Sequence, residues 1–220
     1  MDWTAVGVSV RLAVSTTLIL CILGLPLAYW LAVSRWRLKF LVEAVLALPL
    51  VLPPTVLGFY LLLAFGPSSP LGRSYERLAG NGLPFSFAGL LIASVLYSLP
   101  FAVRPFAIGF GAVDRRLVEA SWCLGVSRLA TFFRVVVPLS WTGILTGIVL
   151  SFAHTMGEFG VVLMVGGNIA GVTRTVSISI YDEVQALNYA AAGQTALLLL
   201  TISFVALAVT HALQRRAWVL

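Results

Sequence analysis

Long apolar runs separated by short polar stretches dominate this chain. Windows of about 20 apolar residues, enough at 1.5 Å per residue to cross a hydrocarbon core of about 30 Å, fit five places. They run approximately from 8 to 33, 41 to 65, 86 to 109, 139 to 165 and 194 to 213. The pattern predicts an all-α, polytopic transmembrane bundle of about five spans. The breaks differ in character: Arg35-Trp36-Arg37-Leu38-Lys39 is short and basic, whereas Gly66-Pro67-Ser68-Ser69-Pro70 opens a turn-rich loop. Between the third and fourth windows lies a polar, arginine-bearing segment, Asp114 to Pro138. Within it Leu117, Ala120, Ser121 and Leu124 recur at helical spacing, with Arg115, Glu119 and Trp122 on another face. Gly125 can adopt positive φ at the helix end, and Ser127 can cap a second helix with the stripe Leu129, Phe132, Phe133 and Val136. A helix, a tight turn and a helix are predicted.

Composition agrees. Of the 220 residues 60% are hydrophobic and 10% charged, and the mean hydropathy is +1.02, the profile of an integral membrane protein. The net charge of +6 would suggest nucleic acid in a soluble protein. Here the positions of the basic residues matter more than their sum, and nucleic-acid binding is set aside. Arg35, Arg37, Lys39, Arg104, Arg115, Arg116, Arg128, Arg134, Arg215 and Arg216 fall on one side of the predicted spans, against Arg11, Arg73, Arg77 and Arg174 on the other. Cytoplasmic loops retain lysine and arginine, so the N-terminus is expected outside, and the C-terminus and the 114–138 segment in the cytoplasm. Cys21 and Cys123 lie in different environments without metal-ligand spacing, so neither a disulfide nor a metal site is expected. The N-terminus lacks a basic n-region and a small-residue cleavage site, and reads as a retained membrane helix. With no internal repeat, residues 1–220 read as a single membrane domain.

A structured, water-exposed element in such a chain suits contact with a partner, although an interfacial helix pair lying on lipid headgroups would show the same amphipathic pattern. The spacing is more particular. Glu119-Ala120-Ser121, then Gly125, then Val137-Pro138-Leu139 resembles the EAA loop of ABC importer permeases. In that family the first helix of the loop docks in a groove of the ATPase subunit. The resemblance therefore implies that Arg115, Leu117, Glu119, Ala120, Ser121, Gly125, Val126 and Pro138 form the ATPase-coupling surface. Ser121 stands where the family often has a second alanine, which keeps a small side chain at the contact.

Two motifs lie within the apolar windows. Prolines 49, 53 and 54, in Leu48-Pro49-Leu50-Val51-Leu52-Pro53-Pro54-Thr55, each remove a backbone donor, leaving carbonyls that need protein partners or a hydrated cavity. A broken helix beside a pathway and a kink absorbed by neighbouring helices both satisfy that need. In the fourth window, His154-Thr155-Met156-Gly157-Glu158-Phe159-Gly160 places a carboxylate about 30 Å of helix beyond Pro138, near the outer end. An ionisable group in a span faces protein or water. Glu158 is thus either functional or a structural carboxylate bonded to Thr155, His154 or a neighbouring helix. His154, without a second titratable group on its turn, reads as a hydrogen-bonded packing residue. The alternation of Val176, Ile178 and Ile180 suits a strand, but a lone strand in lipid leaves its edges unpaired, so a helix is expected there.

The proline-rich run, the Gly-Glu-Phe-Gly run and the segment from Gly171 to Glu183 resemble the molybdate branch of the ABC permeases. Pro53, Pro54, Thr55, Gly58, Gly157, Glu158 and Gly160 are pathway or gate candidates on that basis, with Glu158 assigned to gating or packing and not to oxyanion contact. Arg73 and Arg174 are candidates for contact with an external binding protein. The resemblance implies a transport subunit for molybdate, with tungstate, sulfate or thiosulfate as alternatives, in a bacterial inner membrane. It further implies a homodimer with the pathway between copies, separate ATP-binding cassette subunits that use ATP and Mg, an extracytoplasmic molybdate-binding protein, and no cofactor on this chain. No Walker-type nucleotide motif occurs, so energy must come from another chain. A membrane-embedded enzyme using Glu158 and His154 would need a nucleophile or metal ligands, and no His-Glu-x-x-His or Gly-x-Ser-x-Gly arrangement is present. A transporter or channel acting alone would not need the docking element.

Overall fold

The computed structural model describes residues 2–217, and side chains as far as residue 212. Arg215 and Arg216 therefore lie outside the described side chains. The described residues are all-helical outside their turns and loops. Helix α1 (Trp3–Val33) begins at Asp2, whose side chain accepts the Ala5 amide at 3.0 Å. It is followed by α2 (Lys39–Val51), α3 (Pro54–Phe65), α4 (Pro70–Ala79) and α5 (Phe87–Gly111). The polar segment forms α6 (Arg115–Cys123), α7 (Arg128–Thr131), a π-helical turn (Phe132–Val136) and α8 (Val137–Leu139). Then come α9 (Trp141–Gly157), α10 (Gly160–Gly166), α11 (Val176–Gln185) and α12 (Tyr189–Ala217).

Three helices, α1, α5 and α12, are long and apolar enough to span a bilayer alone. Two bent pairs raise the number to five: α2 with α3, which meet at 111°, and the 128–139 stretch with α9, which meet at 72°. Two of the predicted windows are therefore not straight rods. The 41–65 window breaks at Leu52-Pro53, because Pro53 and Pro54 supply no amide to carry the ladder onward. The 139–165 window bends at Ser140 and breaks again at Glu158-Phe159, so its last turns belong to the separate helix α10.

The core is a three-helix stack of α1, α5 and α9. Leu12 of α1 clusters with Leu90 of α5, and further along Gly24 meets Val103 and Phe106, so these two helices run parallel. Parallel neighbours require the chain to return between them, which is the task of the bent α2–α3 pair. Helix α9 runs antiparallel to α5: Ser98 meets Thr155 near one end, and Gly109 meets Gly143 near the other. A methyl group added at Gly143 would lie 2.6 Å from the Gly109 Cα, so only glycine permits this approach. Lipid tails are as apolar as leucine, so close packing of this kind, and not exclusion from water, holds such helices together.

One end of the bundle gathers the C-terminal ends of α1 and α5 and the 114–139 segment, joined where the Phe132 ring meets Tyr29 at 4.9 Å and Phe110 at 6.0 Å. The opposite end holds Asp2, α4, the start of α5 and α11. There the Arg11 guanidinium lies 4.2 Å from the centre of the Phe87 ring.

Candidate functional site

The 114–138 segment is a rigid elbow. Asp114 caps α6 by accepting the Arg116 amide at 2.9 Å, and Arg115 pairs with Glu119 one turn on at 2.8 Å. The helix closes with the Gly125 amide on the Trp122 carbonyl at 2.9 Å and the Val126 amide on the Ser121 carbonyl at 3.1 Å. Gly125 sits at φ 77°, the left-handed conformation that a side chain resists. Ser127 then caps α7 by accepting from the Ala130 amide at 3.3 Å. The two arms are bolted together by buried hydroxyls, Ser121 and Thr131, 2.9 Å apart. Ser121 is thus more than a tolerated small residue: it holds the elbow's angle.

The second arm differs from the predicted single stripe. Phe132 packs against the core and Val136 is buried within it, whereas Leu129 and Phe133 are 70% and 61% exposed. Around Phe132–Val136 the ladder widens, with the Val137 amide reaching back to the Phe132 carbonyl, and Pro138 follows without an amide of its own. Leu117, Ala120, Ser121, Leu124, Val126 and Pro138 line an open groove of about 470 Å³ between the arms. Six of the eight predicted coupling residues are thus in the groove or at its turn, and the other two, Arg115 and Glu119, pair with each other on the exposed face of α6.

A second cluster joins the two helix breaks. Met164 of α10 packs on Gly58, where a Cβ would come within 2.7 Å of its Cβ, and Gly160 sits on Pro54, where a Cβ would come within 2.6 Å. Pro54, Gly58 and Gly160, from motifs far apart in sequence, therefore meet at one α3–α10 contact, with Glu158 at the start of α10. Glu158, 7% exposed, accepts the Val161 amide at 2.8 Å and so caps α10. Its carboxylate thus bonds the chain's next helix instead of Thr155 or His154. Pro53 and Thr55 stay exposed, and open space lies over Gly157.

Beside this contact, His154 stacks on Phe101 with ring centres 3.8 Å apart, and its Nδ1 is 3.0 Å from Ser98 Oγ. Thr155 donates to the Ser151 carbonyl at 2.8 Å, so Ser98 must donate to Thr155, and His154 Nδ1 must carry a proton and donate to Ser98. This is the expected hydrogen-bonded packing histidine. Its partner Ser98 carries no sequence signal, being one serine in an apolar helix.

At the opposite end, Arg174 and Arg73 differ. Arg73 is exposed, with Nε 3.4 Å from the Ser69 carbonyl of its own helix cap. Arg174 is held by Asp2 and Asp182, each at 3.6 Å, and donates to Asn168 at 2.6 Å. It ties the start of α1 to α11 across this end of the bundle. Sequence reasoning did not find Asp2 or Asp182, because nothing local links them. The Val176–Gln185 stretch is the expected helix and is anchored by its first amide on Ser9 Oγ at 2.8 Å.

The whole is a bundle of long apolar helices with an exposed, grooved elbow at one end. Residues 24–219 match the family described as binding-protein-dependent transport system inner membrane component, and the chain belongs to that family. It is 49% identical over 214 residues to the molybdenum transport system permease protein ModB of Azotobacter vinelandii, covering 97% of this chain and 95% of that one. It is 35% identical over 184 residues to the Escherichia coli K12 protein of the same name, covering 84% and 80%. A probable molybdenum ABC transporter permease protein of Haloferax volcanii is 37% identical over 215 residues, covering 98% and 77%. The fold also matches a chain in the crystal structure of a bacterial ABC transporter involved in import of the acidic polysaccharide alginate, with TM-score 0.69 at 14% identity, covering 95% of this chain and 78% of that one.

Proposed function

We propose that this chain is the membrane subunit of an ATP-driven molybdate importer. The observation that carries the transport reading is the exposed, hydroxyl-bolted elbow at Asp114 to Pro138, fused through Ser140 to the core helix α9. A partner that grips the elbow's groove can turn α9 as a rigid body, which a flexible loop would not transmit. The cargo assignment rests on the near full-length likeness to molybdenum transport permeases. The elbow faces the cytoplasm, the N-terminus lies outside, and separate ATP-binding cassette subunits seat on the elbow. Two copies of the chain enclose the pathway between them, and an extracytoplasmic molybdate-binding protein delivers the anion. ATP-driven closure of the ATPase pair draws the two elbows together and favours the outward-open state, and hydrolysis resets it. Such a cycle works only because the partner holds the two states unequally.

The test is ATP-dependent uptake of labelled molybdate by the complex in proteoliposomes, with sulfate as competitor. Uptake that sulfate fails to suppress at equal concentration is expected. Absence of ATP-dependent molybdate uptake would overturn the cargo assignment, and preferred uptake of sulfate or thiosulfate would replace it.

A further inference from the structure

Helix α5 carries one charge, Arg104, in an otherwise apolar stretch of 25 residues. Gly111 ends the helix seven residues on, about 10 Å along the axis, so Arg104 sits inside the span and not at its rim. The side chain is exposed on the chain's surface, and among the described residues it has no ion pair. Arg11, within α1, by contrast lies against the face of the Phe87 ring. Arg104 shares its face of α5 with Ile92, Leu96 and Ile108, all exposed, while the opposite face is buried against α1 and α9.

An unpaired guanidinium on a lipid-facing stripe at this depth is costly, and such groups are found facing protein or water. Nearby features lower the cost of a hydrated location. Pro105 has no amide to offer the Phe101 carbonyl, which therefore lacks its helical partner. The ring stacked on Phe101 is that of His154, whose Nδ1 is engaged by Ser98, leaving Nε2 as an acceptor with no partner among the described residues. A cation, a freed carbonyl and an imidazole nitrogen thus occupy successive turns of the α5–α9 pair.

We propose that the Ile92–Leu96–Arg104–Ile108 stripe of α5 faces the water-filled seam between two copies, and that Arg104 binds the oxyanion there by charge-assisted hydrogen bonds as it leaves toward the elbow end. The inference rests on the transport reading above and adds a specificity residue to it. A guanidinium presents paired donors suited to two oxygens of a tetrahedral anion, and it stays charged at all working pH values. The same chemistry would fit a lipid phosphate, which the experiment separates.

The experiment uses the reconstituted complex with Cys21 and Cys123 replaced by serine, and whichever labelled tetrahedral oxyanion the wild type takes up, molybdate or sulfate. Arg104→Gln is expected to lower uptake about tenfold or more, the loss of a hydrogen bond to a charged group, while binding-protein-stimulated ATP hydrolysis persists. Arg104→Cys is expected to react with a membrane-impermeant cationic methanethiosulfonate, to be protected by the oxyanion, and to recover uptake once modified. The anionic reagent of the same size should not restore it, which a role confined to packing would not predict. Labelling only by a lipid-soluble maleimide would assign Arg104 to lipid phosphate and overturn the proposal. Normal uptake by Arg104→Gln alongside an active wild type would overturn this inference alone, whereas a wild type that imports no oxyanion would overturn the transport reading with it.

Discussion

Gly125 does at one residue what the whole elbow depends on. At φ 77° it turns α6 into α7 within four residues, so a β-branched side chain there carries about 1–3 kcal/mol of backbone strain. No atom lies within 4 Å of an added Cβ, so the cost is conformational and not steric. Gly125→Val is expected to insert and assemble normally but to lose binding-protein-stimulated ATP hydrolysis and uptake together. Retention of both would remove the turn from the coupling machinery. Glu158 offers a contrast, because its bond to the Val161 amide needs an acceptor oxygen and not a charge. Glu158→Gln should keep the cap, whereas Glu158→Ala should lower the stability of the solubilised protein by about 1–2 kcal/mol. If Glu158→Gln also leaves uptake and basal ATP hydrolysis unchanged, the carboxylate has no gating role. Equal thermal stability of all three proteins would remove the cap from the account.

Among elements, the α3–α10 contact shows most clearly how two sequence motifs become one structure. The proline pair ends α2 and restarts the chain as α3, and the Glu158-Phe159 break does the same between α9 and α10. Each motif was legible alone, since proline and a membrane carboxylate both stand out in an apolar run. Their meeting was not, because Gly58, Gly160 and Met164 touch through small surfaces that leave no periodic pattern. Gly160→Val should drive α10 from Pro54 and destabilise the protein by about 1–3 kcal/mol, the usual cost of overpacking. A melting temperature unchanged from wild type would show that the two helices separate freely. The second arm of the elbow carries a similar lesson: helical spacing alone put Leu129 and Phe133 with Phe132 and Val136. Docking against Tyr29 and Phe110 selected only the latter pair for the inside.

At the scale of the whole molecule, counting each bent pair as one crossing predicts that the elbow and α4 lie on opposite faces of the membrane. Single cysteines at Leu117 and at Arg73, in the cysteine-free background, test this directly. In intact cells an impermeant thiol reagent should label the Arg73→Cys protein and reach Leu117→Cys only after permeabilisation, and the reverse pattern would invert the topology. The apolar helices and the helix–turn–helix of the 114–138 segment were readable from the chain because lipid imposes a local rule: every backbone amide in the bilayer core must bond within its own helix, and charge collects at the ends. Length and polarity suffice to apply that rule one segment at a time. Pairings between segments obey no such rule. The parallel seating of α1 on α5, the Asp2–Arg174–Asp182 tie and the bond from His154 to Ser98 each depend on which helices become neighbours. In lipid that choice follows from close packing at positions such as Gly109 and Gly143, where shapes must fit in three dimensions and one-dimensional hydrophobicity carries no preference.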